Sequence, residues 1–137
     1  MPEERQDLTE LVAQSMPFGR TLGIASIAGG ADEVEATLAW APELCTAGGA
    51  LHGGALMALA DSAGGVCAFL NLPAGARTVT IESKTNFFGA VRDGSVRARA
   101  RPLHRGRTTI VVETDLFDAD GRHVGRTTQT QAVLPIE

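Results

Sequence analysis

The sequence predicts an α+β fold: an antiparallel sheet of about six strands wrapped around one long central helix, with a short helix at the N-terminus. Three observations lead there. Residues 51–72 form the one long stretch of helical period, in which Leu51, Ala55, Leu56, Leu59, Ala63, Val66 and Leu70 recur at steps of three and four. A second face of the same helix carries Gly54, Ala58, Asp61, Gly65 and Ala68, and Asp61 is its only charge, so the helix is apolar on nearly all sides and is expected to be buried. Everything after it alternates with the period of strands, and a helix buried all round needs a sheet curved about it.

The elements follow in order. Pro2 through Ser15 reads as an amphipathic helix, with Pro in its first turn, the acids Glu3, Glu4 and Asp7 at its positive end, and Leu8, Leu11 and Val12 as its stripe. Pro17 ends it, and Met16, Phe18 and Leu22 supply apolar groups in an irregular segment, either as core packing or as a pocket wall. Residues 22–28 are a strand, Gly29-Gly30 a turn, and Val34, Ala36, Leu38 and Trp40 one face of the next strand. Pro42 to Gly49 is a loop into the central helix, which Pro73 and Gly75 close. Strands follow at 77–88, 95–103, 108–118 and 122–134, the last pair joined by an Asp120-Gly121 hairpin signal. Short connections between the four favour antiparallel pairing.

With 137 residues, 44% of them hydrophobic, the chain fits one domain, residues 1–137, with its own core. A net charge of −4 argues against a dedicated nucleic-acid binder. Residues 1–10 are too rich in charge for a signal peptide, and Asp61 with three glycines breaks the apolar run, so no membrane partner is expected. Cys45 and Cys67 read as free thiols in a reducing cytoplasm. His52, His104 and His123 lack metal-ligand spacing, so neither a metal nor another cofactor is expected.

Two readings of Asp61 stay open on the residues alone. A lone carboxylate on an apolar helix is either a satisfied core group, bonded to backbone or a hydroxyl, or a functional group whose surroundings raise its pKa. His52-Gly53-Gly54 makes a tight turn into the helix. The N–H groups at a helix N-terminus are unpaired and sit at the positive end of its dipole, so the turn can also present donors to a ligand.

Met16-Pro17-Phe18, Leu22-Gly23-Ile24, Leu51-His52-Gly53-Gly54-Ala55, Leu59-Ala60-Asp61-Ser62-Ala63, His104-Arg105-Gly106-Arg107 and Asp120-Gly121-Arg122 together resemble the hotdog-fold acyl-CoA thioesterases of the 4-hydroxybenzoyl-CoA thioesterase superfamily, in particular the phenylacetate-pathway type. The resemblance implies metal-free hydrolysis of acyl-coenzyme A thioesters. It also implies homodimers that share a continuous sheet and pair into homotetramers. It gives the Gly53 N–H the task of polarising the thioester carbonyl and Asp61 that of nucleophile or base. His52 belongs to the motif, most simply as a stabiliser of the turn, and Gly54, Met16 and Phe18 fall at substrate-contacting positions. Many relatives carry Asn six residues before the His, where this chain has Thr46, a shorter donor. In some relatives a hydroxyl on the strand after the helix assists the acid. That position aligns with Val79, flanked by Thr78 and Thr80, and no residue is carried over.

The chemistry agrees with that role. Thioester hydrolysis needs oxyanion stabilisation, for which one good donor is worth about 3–4 kcal/mol, and a positioned base, worth roughly 10²–10⁴ in rate. Arg92 to Arg107 holds six of the twelve basic residues. Arg97, Arg99 and Arg101 share a strand face, which reads either as a solvated outer surface or as a contact for coenzyme A phosphates, with Arg105 and Arg107 the better phosphate candidates. The alternatives within reach are a hotdog dehydratase or hydratase acting on acyl thioesters, and a non-catalytic acyl-CoA binding module. Asp61 and the Gly-Gly helix entry favour hydrolysis over both. Gly53 and Asp61 stand about 12 Å apart along one helix, so they are expected to meet a single thioester only across a dimer.

Overall fold

The structure is a computed structural model and describes residues 5–137. One seven-stranded antiparallel sheet in the order β1-β2-β3-β5-β6-β7-β4 packs against a single long helix. The chain runs β1 (Gln6–Asp7), α1 (Thr9–Ser15), α2 (Pro17–Leu22), β2 (Ile24–Gly30), β3 (Glu33–Ala39), α3 (Gly53–Leu70), β4 (Ala76–Phe87), β5 (Ser95–Arg105), β6 (Thr109–Phe117) and β7 (His123–Pro135).

The N-terminal segment differs from the sequence reading. Pro2, Glu3 and Glu4 lie outside the described residues. Gln6 and Asp7 pair with β2, and α1 begins only at Thr9, whose N–H and hydroxyl both donate to Asp7 Oδ1 at 3.0 and 2.6 Å. Asp7 therefore closes the turn before the helix rather than sitting within it. Pro17 does end α1, but it also opens α2, because its fixed φ suits a first helical turn. Gly29 and Gly30 complete β2, and the turn falls at Ala31-Asp32.

The connections after α3 are short, yet β4 does not pair with β5. It lies at the sheet edge beside β7, and residues 88–94 carry the chain past the start of α3 to place β5 against β3. Val91 seals that crossing: it is 2% exposed, and its carbonyl accepts from the Leu51 N–H. The register of β4 on β7 shifts between Thr80 and Glu82, so Ile81 is an extra, bulged residue.

The core lies between α3 and the inward faces of β3, β5, β6 and β7. Leu56, Leu59, Ala60, Ala63 and Cys67 on the helix are buried, as are Val34, Ala36, Leu38, Val96, Ala98, Ala100, Ile110, Val112 and Leu116 on the strands. By length and composition α3 could cross a membrane, but here more than half of it is packed inside the protein. Its burial is not complete. Met57, Asp61 and Phe69, one turn or two apart, look outward, because the sheet covers one side of the helix and leaves the other open.

Arg97, Arg99 and Arg101 alternate with buried residues of β5 and so share the sheet face away from α3. Each meets a carboxylate on a neighbouring strand: Glu35 at 3.6 Å, Glu33 at 2.9 Å, and Glu113 at 3.2 Å. They form a cross-strand charge ladder. Asp115 is its most enclosed member, 6% exposed beneath Arg126 and His123. Burial pushes its carboxyl up, but hydrogen bonds from Arg126 and His123, and their charge, outweigh this and hold it below its ordinary 3.8. A depressed native value stabilises the fold above pH 3.8, and that contribution is lost as pH falls through the native value. Asp115→Asn is therefore expected to be less stable than wild type at pH 7, with the difference shrinking at pH 3. Urea denaturation at the two pH values measures it; a constant difference would contradict the linkage.

Candidate active site

The entry to α3 is built by a braced loop. After β3 the chain makes two short 3-10 turns, Pro42–Leu44 and Ala47–Gly49, and Gly48 and Gly49 both adopt the left-handed backbone that glycine tolerates. The exposed carbonyls of that turn accept from Arg92 Nη1 at Gly48, 2.6 Å, and from Trp40 Nε1 at Gly49, 3.0 Å. His52 N–H donates to the Leu44 carbonyl, and its ring Nδ1 accepts from the Gly54 N–H at 2.7 Å. His52 is thus the N-cap of α3 and stabilises the turn. Its bond consumes the Gly54 N–H. The Gly53 N–H has no hydrogen bond among the described residues, and the Phe87 ring packs on the side of the residue where a Cβ would point, 3.1 Å from that position. One free donor therefore remains at the positive end of an 18-residue helix.

Two turns further on, Asp61 stands on the open face of α3 at a cavity of about 410 Å³. Leu8, Leu11, Val12 and Met16 from the N-terminal segment form one wall, and Gly65, Val66 and Phe69 of α3 the other. The polar side of the cavity is Asp61, Ser62, Thr78, Thr80 and Gln131. Thr78 Oγ1 donates to Gln131 Oε1 at 3.0 Å, and Gln131 Nε2 donates to Thr80 Oγ1 at 2.8 Å, so both threonines are oriented by one buried amide. Gln129 Nε2 donates to Asp61 Oδ1 at 3.2 Å. A carboxylate at the rim of an apolar cavity, beside ordered hydroxyls, can take a proton from water or attack an electrophile held there.

Of the residues singled out in the sequence, Asp61 and Met16 meet in this cavity. Phe18 does not line it; it is 62% exposed on α2. Thr46 is exposed in the entry loop and its side chain makes no capping bond. Arg105 pairs with Asp32 in the β2–β3 turn, next to the Ala31 carbonyl that accepts from Asn71 just past α3. Arg105 thus belongs to the end of α3 opposite Gly53, and Arg107 lies two residues on, in the β5–β6 connection. Cys67 is buried, and desolvation pushes its thiol up to about 12, with a smaller lowering by the Arg105 charge and a smaller raising by Asp32, so it is not poised as a thiolate nucleophile near neutrality. The residues missed by the sequence reading are Gln129 and Gln131. Their signal was present: two amides at inward positions of a strand whose neighbouring inward residue, Thr127, is also polar.

A family model described as the thioesterase superfamily matches residues 48–130, which hold the entry turn, α3 and the strands through most of β7. The chain belongs to that superfamily. The 1,4-dihydroxy-2-naphthoyl-CoA hydrolase of Escherichia coli is 34% identical over 105 residues, 77% of each chain. A proofreading thioesterase of Cronobacter sakazakii is 34% identical over 113 residues, 82% of each. Among solved structures, a thioesterase of Haemophilus influenzae superposes with a TM-score of 0.86 at 32% identity, covering 94% of this chain and 89% of that one. These neighbours share the hotdog fold, and the chain is a thioester hydrolase in the general sense of its superfamily.

The two adjacent glycines of this thioesterase-superfamily helix are not equivalent. A Cβ on Gly65 would meet nothing within 4 Å, whereas one on Gly64 would lie 1.8 Å from Gln129 Oε1. Gly65→Ala is expected to stabilise the fold by up to ~1 kcal/mol through helix propensity, and Gly64→Ala to destabilise it. Thermal melting of the two variants checks the contrast; melting shifts of the same sign would refute it.

Proposed function

We propose that the protein hydrolyses acyl-coenzyme A thioesters to the free acid and coenzyme A, with Asp61 as the base or nucleophile and the Gly53 N–H as the oxyanion donor. The observation that carries the proposal is Asp61 itself: a carboxylate on the open face of the central helix, at a cavity with two apolar walls and hydroxyls on its polar side. The cavity suits an aryl or medium-chain acyl group, and the E. coli relative's name, a CoA hydrolase for an aromatic acyl group, agrees with that size and character. The phenylacetate-pathway subtype rests on the His52-Gly53-Gly54 and Asp61 motifs.

In the base form of the reaction, Asp61 takes a proton from water as the water oxygen bonds to the thioester carbon. The carbonyl π electrons move to oxygen, where the Gly53 N–H stabilises the charge. The intermediate then collapses, the C–S bond breaks, and the departing sulfur takes the proton from Asp61. No metal enters any step. Asp61→Asn is expected to bind acyl-CoA and fold normally while kcat falls by at least ~10²-fold. Steady-state thiol release and melting test it; near-normal kcat would remove Asp61 from the mechanism.

Eight residues of helix separate Gly53 from Asp61 by about 12 Å, more than an aspartate side chain spans. We infer that two copies associate along the open edge of β4, so that each site pairs Gly53 of one subunit with Asp61 of the other. Support comes from that edge: β4 is twelve residues long, and Val79, Ile81, Phe87 and Phe88 along or beside it are exposed, as are Met57 and Phe69 on the open face of α3. Dimers of this kind would pair again into tetramers. Co-expression of inactive Asp61→Asn and Gly53→Val chains is expected to restore about a quarter of wild-type activity, since random pairing makes half the dimers mixed, each with one intact site. Inactivity of well-folded mixed dimers would place all the chemistry within one chain.

A further inference from the structure

Gln129 is the one inward residue of β7 whose burial the fold does not explain. Thr127, Gln129 and Gln131 are 1%, 1% and 2% exposed on a strand face that packs against α3 and β4. Buried polar groups are tolerated when their hydrogen bonds are made. Thr127 shares a 2.6 Å hydroxyl contact with Thr85, and Gln131 uses both ends of its amide on Thr78 and Thr80. Gln129 uses only one end. Its Nε2 reaches Asp61 Oδ1 at 3.2 Å, while its Oε1 is buried with no partner among the described residues.

The orientation follows from the chemistry. A carboxylate accepts and never donates, so the amide must turn its NH₂ toward Asp61 and its oxygen away. The oxygen then falls where Gly64 has no side chain; a Cβ there would sit 1.8 Å from Oε1 and 2.7 Å from Cδ. A leucine at position 129 would avoid the unpaired oxygen altogether, so the fold carries a destabilising group whose one bond goes to Asp61.

We propose that Gln129 is a positioning residue for Asp61: its carboxamide, seated against Gly64, holds Oδ1 and leaves Oδ2 as the oxygen presented to substrate. Oδ2 makes no hydrogen bond among the described residues, which frees it to take the proton or form the bond. The inference rests on Asp61 being the reacting carboxylate, as proposed above. Gln129 itself does not line the cavity and acts through Asp61.

The test separates positioning from packing. Gln129→Met keeps length and burial, loses the donor and removes the orphan oxygen. It is expected to lower kcat on the order of tenfold, leave KM for an acyl-CoA within about twofold, and melt no lower than wild type. A purely structural role would move kcat and melting temperature down together, and that outcome overturns the proposal, as does full kcat. Gln129→Glu keeps the shape but sets a second carboxyl against Asp61, and is expected to lose kcat as well; a fully active, folded Gln129→Glu also overturns it, whether or not the Met variant folds. Asp61→Asn is assayed alongside. If it is inactive while Gln129→Met is fully active, only the positioning role fails; if Asp61→Asn is itself active, the catalytic assignment fails and takes this role with it.

Discussion

Small side chains stand on both sides of the contact between α3 and its sheet. On the helix, Ala60, Ala63, Gly64 and Ala68 are buried, and on the strands Ala36, Ala98 and Ala100 are fully buried at neighbouring register positions. Small residues let a helix backbone approach a strand backbone closely, and the packed interior then tolerates no shift of either. That closeness fixes the rotation of α3 about its axis. One face is pressed to the sheet, and the opposite face is left to carry Met57, Asp61, Gly65 and Phe69. The free Gly53 N–H, the orientation of Asp61 and the shape of the cavity beside it all depend on this one rotation.

The interior beneath Asp61 is unusually polar for a core. Thr114 on β6 and Thr127, Gln129 and Gln131 on β7 are all buried on the side facing the helix. Further along, the same sheet is lined by Val34, Leu38, Val96, Ile110 and Leu116. The protein thus divides its core: an apolar part that supplies stability, and a hydrogen-bonded part at the foot of the carboxylate. Polar networks in low-dielectric surroundings hold their members in narrow geometries when satisfied and destabilise the fold where a partner is missing. The orphan oxygen of Gln129 marks where the positioning of Asp61 and stability part.

The long elements were legible in the sequence because their periods are long enough to count. α3 and the strands at β3 and β5 to β7 fall within a few residues of where alternation and helical spacing placed them. Short elements were not: α2 has six residues and β1 two, too few to display a period. The pairing of β4 with β7 was also hidden, because order along the chain carries no information about an edge reached by a crossing. Periodicity overstated the burial of α3, since Met57 and Phe69 count as apolar whether they face a sheet or an opening. In the site, the motif around His52, Gly53 and Asp61 was readable as local sequence. The glutamines were not, because their roles come from contacts 68 residues apart in the chain for Gln129 and Asp61, and 51 for Gln131 and Thr80.

The bulge at Ile81 puts β4 in two phases. Alternation means that one extra residue reverses which parity points inward. Before Ile81 the even positions Thr78 and Thr80 meet Gln131; after it the odd positions take over, with Thr85 on Thr127 and Phe87 over Gly53. A single strand therefore serves the carboxylate with one half and the helix entry with the other. Aligned by simple counting, the position expected to bring a hydroxyl to the acid falls on Val79, which is 45% exposed, while its two threonine neighbours face the cavity. An insertion or deletion of one residue anywhere between Thr80 and Phe87 would rephase the far half of the strand and swing the phenyl ring away from Gly53. The site therefore constrains the length of this strand as well as its residues.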